Sequence, residues 1–305
     1  MEKKTPSELL TPPEYYYLQI FKEDVVYKTR SDYCDIRRHK NKTKKDESEE
    51  SSRGRIQEFS KKSKYRLIHQ LRNSQQTFKQ FITLTYPKDY PMDGAIVKSH
   101  LNTLLTRLRQ EFSGIHYLWV IEAQSRGAPH FHIIINQAIP TKKKIDKDGQ
   151  YFYSECWSKR WSKITGNEKD KHHVRRGFRI DPITTSNGKK LASYMAKYYS
   201  KNEQKEFAKD FINIGRFWGA TRGFTQPIVQ GVYCASELKW MLKLCFHYAN
   251  LERSKAGLKR YAFDADRGCS IWGFRKIFFE KVVPLFGDRL SRPYKDLEKP
   301  PTLYG

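Results

Sequence analysis

Two histidines separated by a single residue, His130 and His132, stand in the stretch GAPHFHIIINQ, which continues as an apolar run. Residues i and i+2 of a strand point to the same face, so both imidazoles would project side by side while Phe131 points away. Two imidazoles on one face can bind the same metal ion. The alternative is a pair of histidines on an exposed sheet face, because a short H-x-H pattern often occurs without a metal.

Glu122 is the candidate for a third metal ligand. It lies eight residues before His130, and the short connection SRGAP would bring it opposite the histidines in a hairpin. Two nitrogens and one carboxylate oxygen, with open positions for water and phosphate, suit Mn²⁺ or Mg²⁺ better than a closed zinc site. Alternatively, Glu122 is a charge that keeps an edge strand in solution.

A third group of reactive side chains falls on a helix predicted over 187–201. Four residues share one face of this helix: Tyr194, Lys197, Tyr198 and Lys201. A tyrosine and a lysine one turn apart beside a metal could transfer a phosphoryl group, with the phenolate as nucleophile and the lysine stabilising charge. Tyr198 could be a second nucleophile, since it follows Tyr194 by one turn. In the alternative interpretation both tyrosines are packing residues of an amphipathic helix.

The elements that must position these residues follow from hydrophobic periodicity. Strands are predicted at 78–87, 114–124, 130–136 and 176–183, and helices at 96–112, 151–164 and 187–201. The order β-α-β-β-α-β-α predicts the α+β class, with a ferredoxin-like (RRM-like) antiparallel sheet covered by helices. Outside this core, the sequence predicts a strand at 24–29, a strand with turns at 211–224, and helices at 236–250 and 273–286.

Three regions result from these patterns. Residues 1–77 are an N-terminal extension with a basic linker, residues 78–205 are the nuclease core, and residues 206–305 are a mostly helical C-terminal region with a strand and turns at its start. The linker, at 37–64, is rich in lysine, arginine and serine and poor in apolar residues, which is typical of a solvated segment.

The chain carries 58 Lys+Arg against 33 Asp+Glu, a formal net charge of +25. Such a field attracts polyanions, and single-stranded or origin DNA is the first candidate, because neutralising phosphates releases counterions. An anionic membrane surface is the second candidate, but no basic amphipathic anchor stands out. The residues expected to contact DNA are Arg126, Arg175, Arg176 and Lys201.

Aromatic residues lie among the cations of residues 157–179. Trp157 and Trp161 could stack on the bases of an unwound strand. Their spacing of four residues is more typical of a packed helix face, and we favour packing.

Several classes of protein are disfavoured. No apolar run is long enough to cross a bilayer, and the N-terminus lacks the pattern of a secretory signal, so we expect a cytoplasmic protein without a membrane partner. The five cysteines are scattered without a CxxC pair, which predicts reduced thiols. No GxxxxGK[ST] motif occurs, so no nucleotide cofactor is expected.

The segments FITLT, PHFHIII and YMAKYY, in this order and spacing, resemble the three motifs of the HUH endonucleases. More narrowly, FITLTYP, LWVIEAQSRGAPHFHIIIN and RFWGATRG resemble the rolling-circle replication initiators of filamentous phages, a type found in small phages and plasmids. The resemblance covers roughly residues 78–224 and implies the HUH endonuclease fold with N- and C-terminal extensions.

The resemblance also implies roles for individual residues. Glu122, His130 and His132 would bind the metal, Tyr194 would be the nucleophile and Lys197 its helper. The first motif contains Thr83 and Thr85, which would shape the sheet near the site, with core packing as the equal alternative. One departure is that this helix satisfies both the one-tyrosine pattern Y-x-x-K and the two-tyrosine pattern Y-x-x-x-Y.

The function expected from these features is metal-dependent nicking and joining of one DNA strand at a replication origin, in a bacterial host cell. The 5′ end would stay on Tyr194, a host polymerase would extend the free 3′-OH, and a host helicase would unwind the template because the chain has no P-loop. The alternatives are an HUH transposase or relaxase, or a non-catalytic DNA-binding repressor on the same fold. Relaxases usually bring a third histidine, so Glu122 disfavours that alternative.

Overall fold

The computed structural model describes residues 15–28, 56, 58–146, 149–183, 206–262, 270–271 and 275–286. The chain forms two compact units, one from residues 1–50 and 226–305, the other from residues 51–225. Both boundaries predicted from the sequence, 77/78 and 205/206, lie inside the second unit, and the three-part division by function stays a prediction. The helix predicted over 187–201 lies outside the described residues.

The two units take their helices and strands from different parts of the chain. The first unit begins with β1 (Tyr15–Ile20) and β2 (Val25–Lys28). The second unit contains α1 (Lys61–Asn73), β3 (Gln80–Thr85), α2 (Gly94–Glu111), β4 (Tyr117–Ala123), β5 (Pro129–Ile135), β6 (Lys142–Asp146), β7 (Gly149–Tyr153), α3 (Glu155–Ile164), α4 (Lys171–Arg176), β8 (Phe178–Pro182) and β9 (Trp218–Ala220). The first unit continues with β10 (Val229–Cys234), α5 (Ala235–Lys255), β11 (Ser270–Ile271), α6 (Arg275–Ile277), a π-helical segment (Phe278–Val282) and α7 (Val283–Phe286).

The second unit is built on a five-stranded antiparallel sheet of order β8-β3-β5-β4-β9. Its first four strands in chain order pair as 4-1-3-2, with β9 added beside β4. This arrangement confirms the predicted α+β class and is compatible with the predicted ferredoxin-like sheet covered by helices.

Helices α2 and α3 cover one face of this sheet. The ammonium group of Lys98, on α2, lies 4.5 Å from the centre of the Trp119 ring, and Trp157, on α3, stacks on Phe178. The apolar positions of α2 are buried at helical spacing: Val97, Leu101, Leu104, Leu105 and Leu108. The Asp93 side chain caps this helix by accepting a hydrogen bond from the Ala95 amide.

Helix α1 packs on the opposite face. Trp218 pairs with Val120, which in turn pairs with His132, and directly opposed residues share a face. The indole nitrogen of Trp218 donates a hydrogen bond to the Ser63 hydroxyl of α1 at 3.0 Å. Leu118 and Ile134, on this same face, are fully buried. The face that carries the histidines is therefore covered along part of its length.

One predicted helix begins later than expected. The helix predicted over 151–164 begins at Glu155, and residues 149–153 form a strand that pairs with β6 in a hairpin. The tyrosines of β7 alternate and stand opposite the lysines of β6, with Tyr151 paired to Lys144 and Tyr153 to Lys142. Pairing with a preceding segment, rather than local helical spacing, decides the conformation of these residues.

The first unit contains a second antiparallel sheet, of order β10-β1-β2-β11. Leu18, Ile20 and Val25 pack there in one cluster with apolar residues of α5 and of the 275–286 helical segment. The helices predicted at 236–250 and 273–286 are confirmed, and α5 is longer than predicted. Among the described residues, no helix is both long and apolar enough to span a bilayer.

Candidate metal centre

The register of the sheet assembles the three predicted ligands. Strand β5 lies between β3 and β4, and Glu122 stands directly opposite His130. His130 and His132 alternate with the buried Phe131, so both imidazoles lie on the face away from α2 and α3. The predicted hairpin of the second and third strands is therefore confirmed, and it brings the three side chains together.

The three ligand atoms lie within 4.8 Å of one another. The Nε2 atom of His132 is 2.7 Å from Oε1 of Glu122, and the two imidazole rings are almost perpendicular with centres 4.6 Å apart. His132 is buried, whereas His130 and Glu122 are half-buried, so the cluster is open on one side. Two imidazole nitrogens and one carboxylate oxygen fit a divalent ion that keeps positions for water or phosphate.

The threonines of the first motif contact both histidines. Thr83 and Thr85 stand opposite His132 and His130 in the register, and each hydroxyl approaches the Nδ1 atom of its partner, at 3.4 Å and 3.3 Å. A hydrogen bond at Nδ1 fixes the orientation of an imidazole and leaves Nε2 for a metal. The sequence allowed sheet shaping and core packing equally for these threonines, and their contact with the imidazoles was not predicted.

Gln124 and Arg126 extend the contacts of His130. The Gln124 amide nitrogen is 3.3 Å from Nδ1 of His130, and Arg126 donates from Nε to the Gln124 oxygen at 3.1 Å. The remaining guanidinium donors reach the backbone carbonyls of Tyr86, Pro87 and Lys88. Arg126 thus ties the β4–β5 turn to the segment after β3, and its predicted DNA contact stays a prediction.

A pocket of about 420 Å³ opens beside the histidines. Its lining contains Phe81, Thr83, Thr85, His130, His132, Tyr151, Arg175, Arg176, Arg179 and Asp181. Arg175 and Arg176 were predicted to contact DNA, and both face this pocket. Their predicted DNA contact itself stays a prediction.

Three of the lining residues were not predicted from the sequence as site residues. Tyr151 was assigned to a helix, and the Arg176 guanidinium lies 4.1 Å from the centre of its ring. Arg179 and Asp181 lie on a predicted strand, and the i, i+2 spacing in FRIDP would have indicated that they share a face. Nothing in the sequence indicated that this face meets the histidines.

The structure confirms that the two tryptophans are packing residues. Trp157 and Trp161 are fully buried, and the Trp161 indole donates a hydrogen bond to the Thr85 carbonyl at 3.1 Å. The Nε2 atom of His173 lies 2.9 Å from the same carbonyl, and burial lowers the pKa of this histidine. These side chains hold the end of β3 in place and are not available for stacking on bases.

Four predicted site residues fall outside the described residues: Tyr194, Lys197, Tyr198 and Lys201. Their predicted roles stay predictions.

The fold and the site define an α+β unit whose antiparallel sheet carries two histidines and a carboxylate beside an arginine-lined pocket. Residues 79–203 match the model of a family of replication-associated proteins, the ORF2 type. The match covers roughly two fifths of the chain and supports a role in the initiation of replication. No curated protein sequence and no solved structure matches the chain.

Proposed function

We propose that this protein nicks and rejoins one strand of DNA at a replication origin, through a covalent bond between a tyrosine and the 5′ phosphate. The observation that carries the proposal is the cluster of Glu122, His130 and His132, which lies within the range matched by the replication-associated family. The high positive charge of the chain supports a polyanionic substrate.

In this proposal the two histidines and Glu122 hold one Mn²⁺ or Mg²⁺ ion. When bound, the ion would polarise the scissile phosphate and offset its negative charge. Thr83 and Thr85 orient the imidazoles through their Nδ1 atoms. The arginines of the pocket hold the neighbouring phosphates of the strand.

Tyr194 is the proposed nucleophile, a role that rests on the sequence motif alone. Its phenolic oxygen loses a proton and attacks phosphorus, the bond from phosphorus to the 3′ oxygen breaks, and the 3′ oxygen takes up a proton. Lys197 stabilises the charge on the phenolate or the phosphate. The reverse attack by a 3′-OH on the phosphotyrosine rejoins the strand, and Tyr198 would allow a second cleavage before the first is reversed.

The test uses the purified full chain with Mn²⁺ and short single-stranded oligonucleotides that tile the intergenic region of its own genetic element. A denaturing gel and mass spectrometry should detect a protein–DNA adduct on a peptide that contains Tyr194 or Tyr198, and EDTA should abolish it. Tyr194→Phe and Tyr198→Phe identify the nucleophile. Tyr65→Phe is the matched control, because Tyr65 is an exposed tyrosine of α1.

An adduct that persists in both Tyr194→Phe and Tyr198→Phe would overturn the assignment of the nucleophile. Metal-dependent binding without an adduct across the whole tiled region would favour a non-catalytic DNA-binding repressor. An HUH transposase would instead cleave oligonucleotides from the ends of a mobile element. A host helicase and a host polymerase are the partners that this function requires, since one must open the template and the other must extend the 3′-OH.

A further inference from the structure

The pocket beside the histidines combines cations with a carboxylate. Arg175, Arg176 and Arg179 line it, as expected for a site that meets phosphates, but Asp181 lines it as well. A carboxylate repels a phosphate and accepts hydrogen bonds from N–H groups. The pocket therefore has a second kind of partner in addition to phosphate.

The carboxylate and one of the arginines form a fixed pair. Nε of Arg179 donates to both carboxylate oxygens of Asp181, at 2.9 Å and 3.1 Å. The two residues stand two apart on β8, where Arg179 is opposite Thr83 and Asp181 is opposite Phe81, so both project on the face of the histidines. The Asp181 side chain stays 32% exposed, which leaves it accessible to a ligand.

A second arginine is held flat against an aromatic ring. The guanidinium of Arg176 lies 4.1 Å from the centre of the buried Tyr151 ring. A stacked guanidinium keeps its in-plane N–H donors for a phosphate and its outer face for a base. The pocket thus presents a cationic wall at Arg176 and a mixed donor and acceptor pair at Arg179 and Asp181.

We propose that this pocket holds one unpaired nucleotide of the substrate strand and that Asp181 recognises its base. The carboxylate accepts from an exocyclic amino group, so adenine, cytosine or guanine is preferred to thymine, which has none. Arg176 contacts the phosphate of that nucleotide. This inference rests on the proposed function, because it assigns a base preference to the strand that the metal centre would cleave.

The competing explanation is that Asp181 only neutralises Arg179. That role predicts a uniform effect of removing the carboxylate: every oligonucleotide would bind more tightly by the same factor, because a repulsive charge is gone. Recognition of a base predicts an effect that depends on the base. The two explanations therefore differ in a quantity that a binding experiment measures directly.

The experiment measures fluorescence anisotropy of the full chain with decathymidylate and with three versions that carry one central dA, dC or dG. EDTA is present, so no cleavage intervenes. The wild type should bind at least one of the three substituted oligonucleotides about fivefold or more tightly than decathymidylate, in the range expected for a good base contact. Because the host is uniform, the strand can slide until the preferred base enters the pocket.

Asp181→Ala should bring all four affinities within about a factor of two of one another, since the base contact is lost. Asp181→Asn keeps the size of the side chain and adds an N–H donor, so thymine should gain relative to the other bases. Asp210→Ala is the matched control, because it removes an exposed acidic residue that does not line the pocket. This control should change all four affinities by one factor.

Equal binding of the four oligonucleotides by the wild type would overturn the proposal, as would a uniform gain in Asp181→Ala. Circular dichroism melting curves show whether each variant is folded, and Asp181→Asn remains informative if the alanine variant does not fold. The measurement is independent of nicking. A chain that shows the base preference but forms no tyrosine adduct would contradict the proposed function alone, and an active chain without the preference would contradict this inference alone.

Discussion

At the scale of single residues, the metal centre depends on groups that are not ligands themselves. An imidazole has two nitrogens, and a metal can use one only when the ring is oriented and its other nitrogen is satisfied. Thr83 and Thr85 contact the Nδ1 atoms of the two histidines from the neighbouring strand. The side-chain spacing of β3 is thus as important to the site as the H-x-H pattern of β5.

The double variant Thr83→Val and Thr85→Val should bind Mn²⁺ about tenfold more weakly, because valine keeps the shape of threonine but removes the hydroxyls that orient the rings. Isothermal titration calorimetry of the purified chain measures the affinity. Thr103→Val is the control, since Thr103 is a half-buried threonine of α2 whose hydroxyl donates to the Ser99 carbonyl. An unchanged affinity in the double variant would assign the threonines to packing alone.

Lys98 is a second residue whose surroundings change its chemistry. Burial lowers its pKa to about 7, while the ammonium group lies against Trp119 and donates to the Arg216 carbonyl. The unfolded chain keeps the ordinary lysine pKa, so between about pH 7 and 10 the unfolded state binds more protons than the folded state. The contribution of Lys98 to the free energy of unfolding therefore rises with pH over this window.

In Lys98→Met this rise should be missing. Urea unfolding of wild type and variant between about pH 6.5 and 9.5 measures the difference in the free energy of unfolding, and phenols stay protonated in this range. Burial also raises the pKa of Tyr86, so its proton stays bound throughout. Parallel pH profiles of the two proteins would mean that Lys98 is charged in the folded state at neutral pH.

At the scale of elements, the short strand β9 completes the sheet through a glycine. Gly219 stands opposite Trp119, and a Cβ atom at Gly219 would lie 2.9 Å from the Trp119 ring. The neighbouring Trp218 donates its indole hydrogen to Ser63 of α1. The strand therefore links helix α1 to the edge of the sheet, and only a glycine permits the approach.

Gly219→Ala should lower the free energy of unfolding by about 1–3 kcal/mol, since the added methyl group forces a shift of the strand or the ring. Urea unfolding followed by tryptophan fluorescence measures the loss. A Trp119→Leu background provides space for the methyl group, so the additional loss there should be smaller. Equal losses in both backgrounds would mean that the ring is not the cause.

At the scale of the whole molecule, the metal cluster and the pocket lie in one compact unit. Residues 51–225 contain the five-stranded sheet, the cluster and every residue that lines the pocket. The core of this unit includes residues of α1, α2, α3 and the sheet. Such a unit has the features of a domain that folds by itself.

A fragment of residues 51–225 should therefore unfold cooperatively and bind Mn²⁺ within about threefold of the full chain, as expected of an independent domain. Thermal unfolding by circular dichroism and calorimetric titration measure the two properties. The same fragment with His130→Ala and His132→Ala serves as the control for specific metal binding. Loss of cooperative unfolding in the fragment would show that the other unit is required for its stability.

The sequence by itself determined those features that depend on local periodicity. The alternation in PHFHIII places both histidines on one face, a short connection joins the strands that carry Glu122 and His130, and the order of strands and helices defines the α+β class. The apolar spacing of α2 likewise predicted a buried helix, which the structure confirms within two residues. These patterns are readable because each one is set by neighbours in the chain.

Only the tertiary structure decided which distant residues surround the histidines. The β6–β7 hairpin replaces the predicted start of a helix because its tyrosines pair with lysines of a preceding strand, and it brings Tyr151 to the pocket. The pairing of β8 with β3 sets Arg179 and Asp181 beside the site, and the carbonyls of residues 86–88 occupy the donors of Arg126. These contacts join residues far apart in the chain, so no local pattern encodes them.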